Sequence, residues 1–395
     1  MTDFKAVLPG TNLSRYARQL TQIHDSVVSG ARPAERPRAV VARSWQRVLR
    51  AGLDASRQNY REPLGIEEVL RRREASPLRL VISDLIGVVS RVADASRMLM
   101  VVTDADGIVL WRAGSAAVRA HADALGFTEG ADWTERQVGT NAIGTALVEA
   151  APVELFSAEH FEQAQHAWYC TAHPIHDPRT GDMLGVIDVS GPALSLHPTI
   201  SALVETAVRL AESQLWRCHE DRLAKLRKSA EHLVAAVKGP LLVVDDHGWV
   251  ALHAGVPARD RIAVPRPDTT LTIPGMGICL PERLREGWLV RPATGARCIT
   301  AVLKLQGAAT LEVTSAEDTW RMPLTQRHAE LLRLLHAAGA DGLSASQLST
   351  ALFGDDEHLV TVRAEISRMR RHLGALVATK PYRIADDVNL TVQEG

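Results

Sequence analysis

Three side chains able to bind a metal or act as a nucleophile stand close together, Cys170, His173 and His176 in the order C-x-x-H-x-x-H, with His160 and His166 just upstream. A thiolate with two imidazoles is a zinc-like ligand set, and a cysteine beside a histidine is the pairing from which cysteine nucleophiles are made. In a strand, however, residues 170 and 173 point to opposite faces, which argues against a shared metal. The expectation is a histidine-rich pocket rim holding a half-buried Cys170, with no metal, no cofactor and no catalytic residue. A second concentration of chemistry lies in "HLVTVRAEISRMRRHLG", His358 to Gly374, where Arg363, Arg368, Arg370 and Arg371 share one short helical stretch. Leu359, Val362, Ile366, Met369 and Leu373 recur there at the steps of a buried helical stripe. The opposite face carries Val360, Ala364, Ser367 and Arg371, small residues between long cations. Such a surface can approach DNA closely while guanidinium forks reach base edges or phosphates. A merely solvated charged face is the competing reading, and the flanking sequence has to decide.

The elements that must hold these residues are readable in part. With 395 residues, 46% hydrophobic and 23% charged, the chain has the composition of a soluble globular protein of several domains. It contains no apolar run long enough for a membrane span, and its first residues have no signal-peptide pattern, so a cytoplasmic protein without membrane contact is expected. Cys170, Cys218, Cys279 and Cys298 are far apart and read as reduced thiols. Net charge is −1, but residues 1–80 hold 15 Lys and Arg against 8 Asp and Glu. "SGARPAERPRAV" reads as a loop before the helix "VARSWQRVLRAG", with Gly52 as its stop. "MLMVVTDADGIVLWRAG" is a hairpin signal, and "PLLVVDDHGWVALHAG" repeats its outline; two related modules or convergence on one turn chemistry would each explain the repeat. Ser201 to Val237 contains neither Gly nor Pro and reads as a long connecting helix. Its seam of Leu223, Leu226, Ala230, Leu233 and Val237 could serve a homodimer or pack on its own domain.

The stretch from Trp133 to Pro192 contains "WTERQVGTNAIGTALVEAAPVELFSAEHFEQAQHAWYC" and "MLGVIDVSGP". Bottom-up, Gly139, Thr140 and Asn141 open a helix, Gly144 and Ala146 permit close packing, and residues 183–192 form a strand. The string resembles the effector-sensing GAF domain of bacterial acetoin-type transcriptional activators over about Leu80 to Ala211, and "RSWQRVLRAGLD" resembles the helical segment before it. Those activators continue into an ATPase module, whereas this chain has no G-x-x-x-x-G-K-[ST] and no Gly-Lys pair, so no ATP cycle is expected of it. Residues 324–384 instead resemble the winged-helix output domain of response regulators. There "LTQRHAELLRLL" and "LSASQLSTALFG" precede "ISRMRR", and "KPYRI" lies in the wing.

The resulting expectation is an α+β multidomain chain. A helical region fills 1–79, a GAF sensor domain 80–211, a connecting helix 201–237, a small β-rich domain 238–318 for which a PAS-like fold is one option, and a winged helix-turn-helix 322–392. The resemblance implies DNA contacts by Thr361, Arg363, Ser367, Arg368, Arg370 and Arg371, with Arg370 on phosphate, and by Lys380, Tyr382 and Arg383 in the wing. Glu365 departs from the pattern; it would sit beside the groove or accept from a cytosine amino group. Effector binding is assigned to Trp133, Asn141, Phe156, Trp168, Cys170 and His173. The expected function is a one-component transcription regulator with promoter DNA, a small effector, a second copy of itself and RNA polymerase as partners. The alternatives are a sensor or scaffold whose C-terminal helices bind a protein, and an enzyme acting through Cys170.

Overall fold

Two hairpins set the plan of the chain. In the computed structural model, Asp104 ends a strand, and its Oδ1 accepts the amides of Asp106 and Ile108, both at 3.0 Å. Asp245 does the same for His247 at 2.9 Å and Trp249 at 2.8 Å. Each turn is completed by a glycine at positive φ, Gly107 at 85° and Gly248 at 81°, a conformation that a Cβ would strain. The structure describes residues 5–59, 62–95, 98–196, 199–237, 239–293, 299–315, 318–385 and 388–393; Cys298 lies outside them. The chain divides into two units, Met1–Asp177 with Met183–Leu215, and Pro178–Asp182 with Trp216–Gly395.

The first unit begins with helices α1 (Leu13–Val28), α2 (Ala39–Arg50), α3 (Ile66–Ala75) and α4 (Ile82–Ala95). Its strands are β1 (Leu99–Asp104), β2 (Val109–Gly114), β3 (Val153–Phe156), β4 (Trp168–His176) and β5 (Met183–Pro192), and they form one antiparallel sheet in the order β2-β1-β5-β4-β3. Between β2 and β3 lie α5 (Ala116–Asp123), α6 (Glu135–Val138) and α7 (Ala142–Glu149). Asn141 caps α7, its side chain accepting from the Gly144 amide at 2.9 Å. Gly144 is required by packing, because a Cβ there would stand 2.5 Å from the Glu135 amide nitrogen. The N-terminal helices share a core with the sheet: Leu20, Ile23, Val41, Trp45 and Val48 belong to the same buried cluster as Val101, Leu155 and Ile187.

Helix α8 (Ile200–Ala236) runs as one element, and its residues from Trp216 onward belong with the second unit. There Leu226 and Ala230 are buried against Leu241, Val243, Ala251 and Leu289, with Leu223, Leu233 and Val237 packed at the edge. The heptad-like seam is therefore covered by the chain's own sheet. That sheet contains β6 (Leu241–Val244), β7 (Val250–Ala254), β8 (Leu271–Ile273), β9 (Gly277–Arg283) and β10 (Trp288–Pro292) in the order β7-β6-β10-β9-β8. Its strand order is the same as that of the first sheet. A third sheet, in the order β13-β12-β11-β16, joins β11 (Ile299–Lys304), β12 (Thr310–Ser315) and β13 (Asp318–Pro323) to the last strand, β16 (Val388–Gln393), which runs parallel to β11. Between them come α9 (Gln326–Ala338), α10 (Ala345–Phe353), α11 (Leu359–Leu373) and the hairpin β14 (Val377–Thr379) and β15 (Tyr382–Ile384). Ser344 and Gln347 form a capping box at the start of α10, and Gly354 ends it at φ 89°. Leu331, Leu332, Leu335, Leu348, Val362, Ile366, Met369 and Leu373 form one core with Ile299, Leu303 and Val313 of the sheet.

Candidate functional site

Register decides which side chains of the first sheet meet. Residues directly opposite in an antiparallel pair share a face, and Cys170 pairs with Ser190, Ala172 with Asp188, Val101 with Asp188 and Thr103 with Val186. Trp168, Cys170, Ser190, Asp188 and Thr103 consequently lie on one face, within an otherwise apolar surface. Ser190 Oγ donates to Asp188 and reaches Cys170 Sγ at 3.0 Å, and His160 Nε2 stands 3.3 Å from the same sulfur. Asp188 is 1% exposed, and its Oδ1 has no protein partner; Thr103 Oγ1, also buried, has none either. Burial pushes the Asp188 carboxyl up to about 7, the Ser190 hydrogen bond opposing this. Burial also pushes the Cys170 thiol well above its ordinary value and the His160 imidazole down to about 4. At neutral pH the Cys170 thiol therefore stays protonated and the His160 imidazole neutral.

The other effector candidates are not brought together. Phe156 pairs with Tyr169 and His173 with Ile187, which puts both on the face opposite Cys170. Phe156 stacks on Tyr16, and burial holds His173 at about 4. The C-x-x-H pair is thus divided between the two faces of the sheet. Asn141 is occupied as a cap, its Nδ2 also donating to Trp133 O at 3.1 Å and Gly139 O at 2.9 Å. Trp133 is buried against Phe127, ring centroids 3.9 Å apart, and Trp168 stands 5.6 Å from the His121 ring. The acidic residues of "SAEHFEQAQ" hold the N-terminal helices in place. Glu159 receives Arg38 Nε at 2.7 Å and the Phe156 amide at 2.9 Å, and Glu162 receives Asn59 and Gln165, each at 2.8 Å. Asp188, Ser190 and Thr103 were missed by sequence reasoning; the available signal was a lone carboxylate in the apolar strand "MLGVIDVSGP".

In the second unit, α11 buries Val362, Ile366, Met369 and Leu373 as the periodicity predicts, and also Ala364 and Arg370. The assignment of Arg370 to phosphate needs correction. Its side chain is 3% exposed, Nε donates to Val377 O at 2.9 Å, and Nη2 pairs with Asp260. Helical periodicity sets this position at the edge of the apolar stripe, and the chain around Asp260 together with the β14 backbone covers a flank that spacing alone leaves to solvent. Glu365 is likewise accounted for, bonded to Arg368 at 2.6 Å and facing His328 Nε2 at 3.3 Å, contacts that hold its carboxyl down at about 2, His328 contributing most. Ser367 O accepts from Arg261 Nη1 at 3.1 Å. Arg368 donates to Gly181 O at 2.8 Å, and Arg371 donates to Thr180 O at 3.1 Å and pairs with Asp182, all within this unit. Arg363 and Lys380 are exposed, and Thr361 and Arg383 are half-buried. Tyr382 exchanges backbone hydrogen bonds with Leu343 at 2.8 and 3.0 Å, fastening the β14–β15 hairpin to the turn before α10.

Residues 25–213 match the family described as "MimR, N-terminal domain". The whole chain is 30% identical, over 395 residues, to the "Uncharacterized 47.3 kDa protein in thcA 5'region" of Rhodococcus erythropolis, covering 98% of this chain and 74% of that one. It belongs to the family of that protein. It is also 36% identical over 163 residues to the "Acetoin dehydrogenase operon transcriptional activator AcoR" of Bacillus subtilis, with 41% of this chain and 26% of that one covered. Over 206 residues it is 30% identical to the "Propane 2-monooxygenase operon transcriptional activator MimR" of Mycolicibacterium smegmatis, covering 51% of this chain and 33% of that one. The expected kinship with acetoin-type activators is therefore present, though the chain spans only about a quarter to a third of these two activators. Among the described residues no helix is long and apolar enough to cross a membrane.

Proposed function

We propose that the chain is an effector-responsive transcription regulator in which the first unit senses a small molecule and the domain built on α9, α10 and α11 binds promoter DNA as a winged helix-turn-helix. The observation that carries this reading is the order of elements behind a MimR-type domain: two capped helices, then a cation-bearing α11, then the hairpin β14–β15. In such an arrangement the third helix enters the major groove and the hairpin reaches the adjacent backbone. Arg363 faces solvent for that role, the half-buried Thr361, Ser367, Arg368 and Arg371 lie along the helix, and Lys380, Tyr382 and Arg383 form the wing. The effector's seat in this reading is the sheet face bearing Asp188, Ser190, Cys170 and Thr103. The unpartnered Asp188 Oδ1 and Thr103 Oγ1 suit a small neutral molecule with a hydroxyl group, which both donates and accepts. The relatives' names as activators support the regulatory role.

The test is selection of duplexes from a random library by the full chain, followed by titration at rising salt. A recurrent sequence whose affinity falls steeply with salt is expected, with Arg363→Ala weakening it by about 1–3 kcal/mol. No enriched sequence, or binding indifferent to salt, would replace this reading with that of a protein-docking domain. For the effector, native mass spectrometry of the purified chain should show a bound small molecule that Thr103→Val loses.

A further inference from the structure

The exposure of α11 is uneven along its length. Arg363 near its start is exposed, but from Ser367 onward the segment Asp260–Val264 runs against it. Arg261 is fully buried; its Nη1 donates to Ser367 O at 3.1 Å and its Nε to His247 O at 3.1 Å. Asp260 pairs with Arg370 and accepts from Thr379 Oγ1 at 2.8 Å in β14. The Val264 amide donates to Arg371 O at 3.2 Å. Approach is closest at Gly374, where an added Cβ would stand 2.0 Å from Ala263 N and 2.2 Å from Ile262 C. The small sheet's crossover thus lies along the half of α11 in which Ser367, Arg370 and Arg371 sit, beside the segment Arg179–Asp182, whose Gly181 O and Thr180 O accept from Arg368 and Arg371. A major groove about 12 Å wide admits a helix, but not a helix with a second chain segment laid along it.

We propose that Asp260–Val264 is an autoinhibitory latch, which must leave α11 before the helix can enter DNA. The inference rests on the reading of α11 as the DNA-binding helix, and it adds how that helix is controlled. One member of the latch, Arg261, is incompletely satisfied. Arg261 is a buried cation to which no carboxylate among the described residues is bonded, its Nη2 lacks a partner among them, and burial together with the nearby Arg370 lowers it to about 9 against the opposing pull of Asp245 and Asp260. A buried charge so placed is retained only while the surrounding packing holds, which suits a segment meant to detach.

A contiguous route connects the latch to α8. The Trp249 ring carries the Arg261 guanidinium at 5.0 Å and that of Arg370 at 5.8 Å. The same ring meets Trp216 of α8 edge-on at 4.9 Å and His219 at 5.5 Å. A displacement of α8 that moves Trp216 therefore removes one support of the ring on which both arginines lie. Detachment need only shift a population: if the closed form is favoured about tenfold, DNA affinity is held about tenfold below that of the free helix.

Two variants of the full chain test this, each with a readout of the latch and a readout of DNA. Asp260→Asn removes the charge that holds Arg370, and Gly374→Ala places a methyl where Ala263 now lies. In both, hydrogen exchange at the Val264 amide should accelerate while α9 and α10 keep their protection, and affinity for the selected duplex should rise about tenfold. An opened latch with unchanged or weaker DNA binding, where the wild type binds in the expected salt-dependent way, overturns the latch and leaves DNA binding standing. If neither wild type nor opened variants bind any duplex, both readings fall. Val264 exchange that stays slow in both variants, or loss of α9 and α10 protection, shows Asp260–Val264 to be permanent structure and also overturns the proposal.

Discussion

Asp188→Asn should change how stability depends on pH, and the size of the change follows from where the carboxyl sits. Asp188 is 1% exposed and bonded to Ser190, and burial raises its carboxyl to about 7 from the ordinary 3.8. The folded state therefore keeps a proton that the unfolded chain releases, so wild-type stability falls as pH rises between about 4 and about 7 and levels off above. At roughly 1.4 kcal/mol per pH unit, the loss amounts to about 4 kcal/mol. Asparagine keeps the Ser190 hydrogen bond and never ionises. His160, His166 and His173, held at about 4, act in the opposite sense, since stability is lost as pH falls from their ordinary 6.5 towards 4. They are common to both proteins and cancel in the difference. Urea denaturation of wild type and variant across pH 4 to 8, roughly the window of these groups, should show the variant gaining about 4 kcal/mol relative to wild type over that range. A difference that stays constant with pH would refute the reasoning, because it would mean that Asp188 is already ionised in the folded protein.

Other substitutions separate packing from recognition. Gly185→Ala would place a Cβ 1.9 Å from Thr103 O, so it should part β1 from β5 and lower the melting temperature of the first unit, with hydrogen exchange in α9–α11 unchanged. Leu226→Lys buries a cation against Leu241, Val243 and Leu289; it should cost about 2–5 kcal/mol in chemical denaturation, while sedimentation should show no dimer lost through this seam. Arg363→Ala and Arg370→Met should diverge. The first should weaken DNA binding at unchanged melting temperature, and the second should lower the melting temperature because Arg370 holds Val377 O and Asp260.

Local chemistry was legible in the sequence wherever a turn, a cap or a periodicity determines the backbone. Ser344 and Gly354 bound α10, Asn141 opens α7, and the two aspartate-glycine turns close their hairpins as their residue types require. Partner choice was not legible. The seam Leu223–Val237 reads equally well as a dimer contact and as one face of a domain, and only the position of β6, β7 and β10 shows that the sheet takes it. Arg370 has the spacing of a surface cation, yet it is buried by a segment 110 residues earlier. Strand alternation already set His173 apart from Cys170, whereas Phe156 was placed on the opposite face only by its pairing with Tyr169. Each miss concerns a contact between residues distant in sequence, for which composition and spacing carry no information.

The repeated hairpin outline has a physical consequence for how two similar sheets divide their work. Both have the strand order 2-1-5-4-3 in their own numbering, and both open on an aspartate whose Oδ1 gathers two amides. They differ in what joins the second strand to the third. In the first sheet residues 115–152 supply α5, α6 and α7, and α7 packs on β3, β4 and β5, enough chain to enclose polar groups such as Asp188 away from water. In the second sheet residues 255–270 form no helix, and part of that crossover, Asp260–Val264, lies on α11. A crossover committed to another helix cannot also close over a ligand, and a buried arginine stacked on Trp249 fills the place it covers. One topology therefore carries two kinds of connection, a long helical one packed on its own sheet in the first unit and a short one lying on the cationic helix in the second.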